Sequence, residues 1–183
     1  MRKKAVVVLA EGFEEIEAVT PVDILRRAGV DVTIAGLNSI LVKSTRGITI
    51  KADIMLDGID FVPDALVFPG GLPGAENLAG SSEVMDLIKK VHSEGKLVAA
   101  ICASPAFVLV PSGVLEGRKA TGYPGTEDKF PGSARITADD VVQDANIITS
   151  RGPGTAAVFA FAIAKNLVGE KKAQEVARDM LFS

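Results

Sequence analysis

A lone cysteine, Cys102, stands where the apolar run 96–101 gives way to Ala103-Ser104-Pro105 and a second apolar stretch. This is the outline of a strand ending in a sharp turn into a helix, with a thiol held at the turn. A helix start presents unpaired backbone N–H groups and the positive end of the helix dipole, and both favour thiolate over thiol. A free thiol near pKa 8.5 is only about 3% ionised at pH 7, so a lowered pKa is what makes such a group a nucleophile. The single histidine, His92, lies in the amphipathic stretch before the strand that leads to the cysteine. It is expected at the far end of the sheet as a solvent-facing helix residue, so an ordinary Cys-His dyad is not expected. Carboxylates remain. Glu14 and Glu17 lie three apart on one helix face, and Glu17 sits among Ile16, Ala18 and Val19. Burial there raises its pKa and keeps it protonated, able to donate to a thiolate and to move a proton during turnover.

The elements that position these groups are short, β-branched-rich apolar runs alternating with helical stretches, the pattern of a parallel sheet covered by helices on both faces. Strands are predicted at 4–10, 31–35, 65–68, 97–101 and 146–149, and helices at 14–28, 82–94, 105–110, 155–168 and 171–181. Residues 41–43 and 48–51 flank Ser44-Thr45-Arg46-Gly47 as a hairpin. The stretch 118–142 holds short, poorly periodic pieces. Pro21 inside the first helix predicts a kink or a restart, with Thr20 as the new cap and Asp23 completing a capping-box-like arrangement. One α/β domain over 1–183 is expected, with a mostly parallel doubly wound sheet.

In such a sheet, ligands gather outside the carboxyl ends of the strands. The turns there bring together Glu14 and Glu17, the Pro69-Gly70-Gly71 turn, Cys102-Ala103, and Ser150-Arg151-Gly152-Pro153. Gly70 and Gly71 open a close approach to a ligand, and a backbone N–H from this turn with that of Ala103 suits an oxyanion hole. Neither glycine-rich turn has the spacing of a phosphate loop or a dinucleotide fingerprint, so no nucleotide cofactor is expected. Arg151 either faces the site or makes a structural ion pair, and the sequence leaves both readings open with the structural one favoured slightly.

Composition narrows the setting. One cysteine excludes an intrachain disulfide and any zinc site with two or more thiolates, which fits a reducing, cytoplasmic location. Twenty basic against 23 acidic residues give a net charge of −3 with no long block of like charge, so no nucleic-acid partner is expected. No apolar segment suits a membrane span. No metal site is expected.

The motifs Val8-Leu-Ala-Glu-Gly-Phe-Glu-Glu-Ile-Glu17, Phe68-Pro-Gly-Gly71, Ala99-Ala-Ile-Cys-Ala-Ser-Pro105 and Thr149-Ser-Arg-Gly-Pro-Gly154 together resemble the ThiJ/PfpI family, in the branch of the parkinsonism-associated deglycase and its bacterial relatives. The resemblance implies a flavodoxin-like three-layer sandwich, a homodimer, Cys102 as nucleophile, Glu17 as its protonated partner, and the N–H groups of Gly71 and Ala103 around the oxyanion. It implies a pocket formed with Gly70, Arg46, Gly152 and Pro153. Where some relatives carry a histidine after Lys-x-Thr-x, this chain has Tyr123, a poor base near neutral pH. The expectation is therefore a cofactor-free cysteine enzyme acting on small dicarbonyls or on the adducts they leave on proteins. The alternative is an oxidative-stress sensor or redox-regulated chaperone, and a peptidase is disfavoured.

Overall fold

The computed structural model describes residues 2–182; Met1 and Ser183, the ends of the expected unit, lie outside the described residues. In chain order the strands are β1 (Lys4–Leu9), β2 (Asp31–Gly36), β3 (Leu41–Lys43), β4 (Thr49–Lys51), β5 (Ile54–Met55), β6 (Ala65–Phe68), β7 (Leu97–Ile101), β8 (Lys119–Ala120), β9 (Arg135–Ile136), β10 (Val141–Asp144) and β11 (Ile147–Ser150). The helices are α1 (Glu15–Arg27), α2 (Gly74–Ala79), α3 (Ser82–Ser93), α4 (Val110–Ser112), α5 (Ala156–Val168) and α6 (Glu170–Asp179). Seven strands form one sheet in the order β10-β11-β7-β6-β1-β2-β5. All pairings are parallel except β10 with β11. Two small ribbons, β3-β4 and β8-β9, stand apart from it.

The central strands are buried along nearly their whole length because helices cover both faces. That is why they read as continuous apolar runs and not as alternating ones. The order reverses beside β1, with β2 on one side and β6 on the other. The loops after β1 and β6 therefore part, and the crevice between them opens at the carboxyl edge.

All five predicted strands and the β3-β4 hairpin form, the latter with Val42 opposite Ile50. Two expectations are corrected. Helix α1 runs unbroken across Pro21, so the restart capped by Thr20 does not occur; Pro21 is buried, and Asp23 pairs with Arg27 at 3.0 Å. Proline removes only one backbone donor, and packing of the buried face (Glu17, Ala18, Pro21, Val22) holds the helix through it. The helix predicted at 105–110 is a wide π-type turn, Pro105–Leu109, that passes into the short α4. The elements not predicted are β5, β10, α2 and the β8-β9 ribbon, all short.

Candidate active site

Cys102 follows β7 with φ of +64°, a left-handed conformation that a side chain adopts at a cost of about 1–3 kcal/mol. Two neighbours hold it there. Its N–H donates to the Ser150 carbonyl at 2.9 Å, and its own carbonyl accepts the Tyr123 N–H at 2.8 Å. The sharp turn points the side chain away from the sheet edge, as in a nucleophile elbow.

Glu17 reaches the same place from the other side of the switch point. Helix α1 is capped by Glu14, whose carboxylate accepts the Glu17 N–H at 2.9 Å, and this fixes the first turn so that the Glu17 side chain faces inward. Glu17 is wholly buried. Its Oε2 accepts the Gly70 N–H at 2.8 Å, and its Oε1 has no hydrogen-bond partner.

Gly70 is wedged between the two groups: a Cβ there would lie 2.6 Å from Cys102 Cβ and 2.7 Å from Glu17 Oε2. No side chain fits. Gly71 has φ of +89°, and a Cβ on it would meet the Glu14 backbone nitrogen at 2.6 Å. Its turn is drawn onto the start of α1 by the Glu14 N–H, which donates to the Gly70 carbonyl at 2.9 Å.

The electrostatics treat Cys102 and Glu17 as one unit. Burial pushes the Glu17 carboxyl up to about 7, with the Cys102 thiol and the Gly70 N–H pulling it down and Glu14 adding a smaller push upward. Beside an ionised Glu17, burial and the carboxylate together push the Cys102 thiol up to about 12, against the N–H groups of Gly71 and Ala103. The pair thus loses its first proton near 7 and resists a second charge until about 12.

The donors decide where the single charge rests. The sulfur faces two backbone N–H groups, from Gly71 and Ala103, whereas the carboxyl receives only that of Gly70 and leaves Oε1 bare. A thiolate with the proton on Glu17 Oε1 satisfies more of these groups than the reverse arrangement. The expected activation by a helix start is corrected: the turn after Cys102 is a π-type turn, burial and an ionised Glu17 both oppose ionisation of the thiol, and only the Gly71 and Ala103 N–H groups act in its favour.

Cys102 opens on a cavity of about 350 Å³ that Arg46, Gly71, Ala103, Tyr123 and Pro153 also line. Gly70 and Glu17 lie beneath it. Gly152 is buried behind the Tyr123 ring, 3.5 Å from where its Cβ would be, so Pro153 rather than Gly152 faces the space. Glu14, which the sequence placed at this edge without a role, completes the wall with Thr45, Leu72, Phe107 and Thr126, which it did not single out. Only Glu14 carried a legible signal, through its spacing from Glu17. Tyr123 is half exposed and is the only aromatic hydroxyl in the chain.

Arg46 is exposed on the β3-β4 turn, and that turn is tied to α1. The Glu15 carboxylate accepts from the Ser44 hydroxyl and from the Arg46 N–H, the latter at 2.8 Å; burial, the largest single effect, pushes its pKa up, but its hydrogen bonds together outweigh it and hold the pKa below the ordinary value.

Two other readings change. Arg151 forms no ion pair among the described residues; its guanidinium donates to the Ala138 carbonyl at 3.3 Å. His92 lies at the opposite end of the sheet as expected, but it is half-buried: Asn146 donates to its carbonyl at 3.1 Å, and its Nδ1 is buried without a partner. Burial lowers its pKa, helped by Arg118. Among the described residues no group of three or more His, Cys, Asp or Glu could hold a metal ion, and no helix is long and apolar enough to cross a membrane.

A family model described as the DJ-1/PfpI family matches residues 3–166. Protein dj-1beta of Drosophila melanogaster is 45% identical over 186 residues, covering 100% of this chain and 99% of the relative. Its crystal structure superposes with a TM-score of 0.96 over 100% of both chains. The glutathione-independent glyoxalase DJR-1.2 of Caenorhabditis elegans is 34% identical over 184 residues, 100% of this chain and 98% of that protein. A structure of Toxoplasma gondii DJ-1, oxidized, has a TM-score of 0.95 at 38% identity over 99% of each chain.

Proposed function

We propose that this chain, which belongs to the DJ-1/PfpI family, is a cofactor-free enzyme that uses Cys102 to convert small 2-oxoaldehydes such as methylglyoxal, or the adducts they leave on proteins. One observation carries the reading: a wholly buried carboxyl, its pKa raised by burial to about 7, lies beside the only thiol, beneath a cavity with no histidine in its lining. The glyoxalase name of the nematode relative supports the choice of substrate class.

The Cys102 thiolate adds to the aldehyde carbon; the carbon–sulfur bond forms as the carbonyl electron pair moves to oxygen, which takes the proton from Glu17. The Gly71 and Ala103 N–H groups stabilise negative charge through the addition. The Glu17 carboxylate then removes the proton from the former aldehyde carbon, and an enediol forms. Reprotonation at the neighbouring carbon gives a thioester of a 2-hydroxy acid. Water hydrolyses it, releasing the acid and the free thiol. Oxidation of the first carbon is matched by reduction of the second, so the sum is 2-oxoaldehyde plus water to 2-hydroxy acid. A group with pKa about 7 is matched to giving and taking protons at neutral pH.

The test is lactate formation from methylglyoxal by the wild type, Cys102→Ser and Glu17→Gln. Turnover in the wild type that both substitutions abolish supports the reading; a Cys102→Ser protein as active as the wild type overturns it.

A second reading, oxidative sensing, draws on the same two N–H groups. Peroxide oxidises a thiolate to sulfenate with loss of water, and a second equivalent gives sulfinate. Gly71, Ala103 and a protonated Glu17 provide donors for its oxygens, and the Toxoplasma relative is described as oxidized. Mass spectrometry after mild peroxide decides it, an addition of two oxygens on Cys102 being expected.

The proposal includes a homodimer. Ile16 and Val19 on α1, with Leu41 and Ile48 on the hairpin, are exposed apolar side chains on elements that Glu15 ties together. Solution scattering is expected to give twice the chain mass. Action in a reducing, cytoplasmic setting, without nucleic-acid or membrane partners, belongs to the same proposal.

A further inference from the structure

A second cavity, of about 400 Å³, lies against the first and shares Tyr123 and Thr126 with it. Its apolar walls are Phe130 and Ile136, and its charged ones Arg151 and Glu127. A five-heavy-atom dicarbonyl occupies on the order of 100 Å³, scaled from the roughly 30 Å³ of a water. The Cys102 cavity alone exceeds that severalfold, and the second cavity offers a comparable volume on the far side of the shared Tyr123 and Thr126.

Arg151 sets the chemistry of that space. Its guanidinium is half-buried, donates only to the neutral Ala138 carbonyl among the described residues, and keeps further N–H donors in a planar fork. Such a fork matches a carboxylate or a phosphate. Glu127 decides between them. Its carboxylate lines the same cavity, held by the Gly125 N–H at 2.8 Å, and repels a dianion more than a monoanion. Phe130 and Ile136 suit a short hydrocarbon chain between the two ends.

The geometry points to a second substrate subsite in which Arg151 binds a carboxylate, so that the preferred substrates are 2-oxoaldehydes or their adducts carrying a chain that ends in a carboxylate. This rests on the carbonyl chemistry proposed for Cys102.

Because Cys102 is the only cysteine, labelling tests the subsite without requiring turnover. The probes are 6-maleimidohexanoate and its neutral amide, which differ only at the far end of the chain. The wild type is expected to react with the carboxylate about fivefold faster, the scale of a partly exposed ion pair. Arg151→Met brings the ratio to about one, Arg151→Lys leaves an intermediate ratio, and Arg46→Met retains the preference. Equal rates in the wild type overturn the subsite, as does a preference lost in Arg46→Met but kept in Arg151→Met. Methylglyoxal turnover by the same preparations separates the two proposals. Labelling preference without any turnover leaves the carboxylate subsite standing and removes the enzymatic reading, whereas turnover without the preference removes the subsite.

Discussion

Two carboxyl groups at opposite ends of the sheet are treated in opposite ways. Asp64, before β6 at the amino edge, accepts the Lys4 N–H at 2.9 Å and pairs with Lys3 at 3.3 Å and Lys96 at 3.7 Å. Partial burial opposes its ionisation, but these partners outweigh it and hold its pKa below the ordinary value. Glu17, at the carboxyl edge, is buried with one N–H donor on one oxygen and none on the other, and its pKa rises to about 7. The amino edge satisfies its charge and contributes stability. The carboxyl edge leaves its charge unsatisfied, together with a strained cysteine, and that is where the proposed chemistry is located.

The strongest way to break this contrast is Cys102→Ser, expected to lower methylglyoxal turnover by at least about 10³-fold, as loss of a nucleophile does. Lactate assays with enzyme in excess check it. Glu17→Gln separates the two properties. It is expected to lower kcat by about 10²–10³-fold, the scale of proton-transfer catalysis, while raising stability above pH 7. In the wild type the folded state keeps a proton on Glu17 that the unfolded chain has released, so stability falls as pH rises from about 4.5 to about 7. A shift of this size corresponds to about 3 kcal/mol, and the uncharged amide avoids most of it. Urea melts of both proteins at pH 5 and pH 8 are expected to show their difference opening at the higher pH.

Gly70→Ala sharpens the contrast on packing grounds. Its methyl group would fall on Cys102 Cβ and Glu17 Oε2, with an expected cost of about 1–3 kcal/mol and a lower rate of Cys102 alkylation. In the wild type that alkylation is expected to rise through an apparent pKa near 7, that of the pair. The smallest effect belongs to the other edge. Asp64→Asn is expected to cost about 0.5–1 kcal/mol and to leave turnover unchanged. In thermal melts its difference from the wild type disappears as the pH falls below the ordinary carboxylate range and Asp64 is protonated.

The juxtaposition of Cys102 and Glu17 was legible in the sequence because each member has a local signature: a thiol after a buried apolar run, a carboxyl among apolar helix residues, and glycines where nothing larger fits. Short elements escaped because two to six residues carry too little periodicity; β5, β10 and α2 form through their neighbours. The state of Cys102 escaped for a different reason. Its charge depends on N–H groups from two segments, on Glu17 from a third and on burial by all of them, a sum that no stretch of sequence contains. The role of Arg151 stayed open in the sequence because it depends on what the fold brings beside it, which is a carbonyl and an open space.

The Glu15 carboxylate, which fastens the Ser44–Arg46 turn to the first turn of α1, bears on timing. A rim clamped from both sides on its Arg46 flank is in place before a ligand arrives, with no ordering of that turn left to perform. Capture at that flank is then limited by encounter, and solvent viscosity, not a slow gate, would set its tempo.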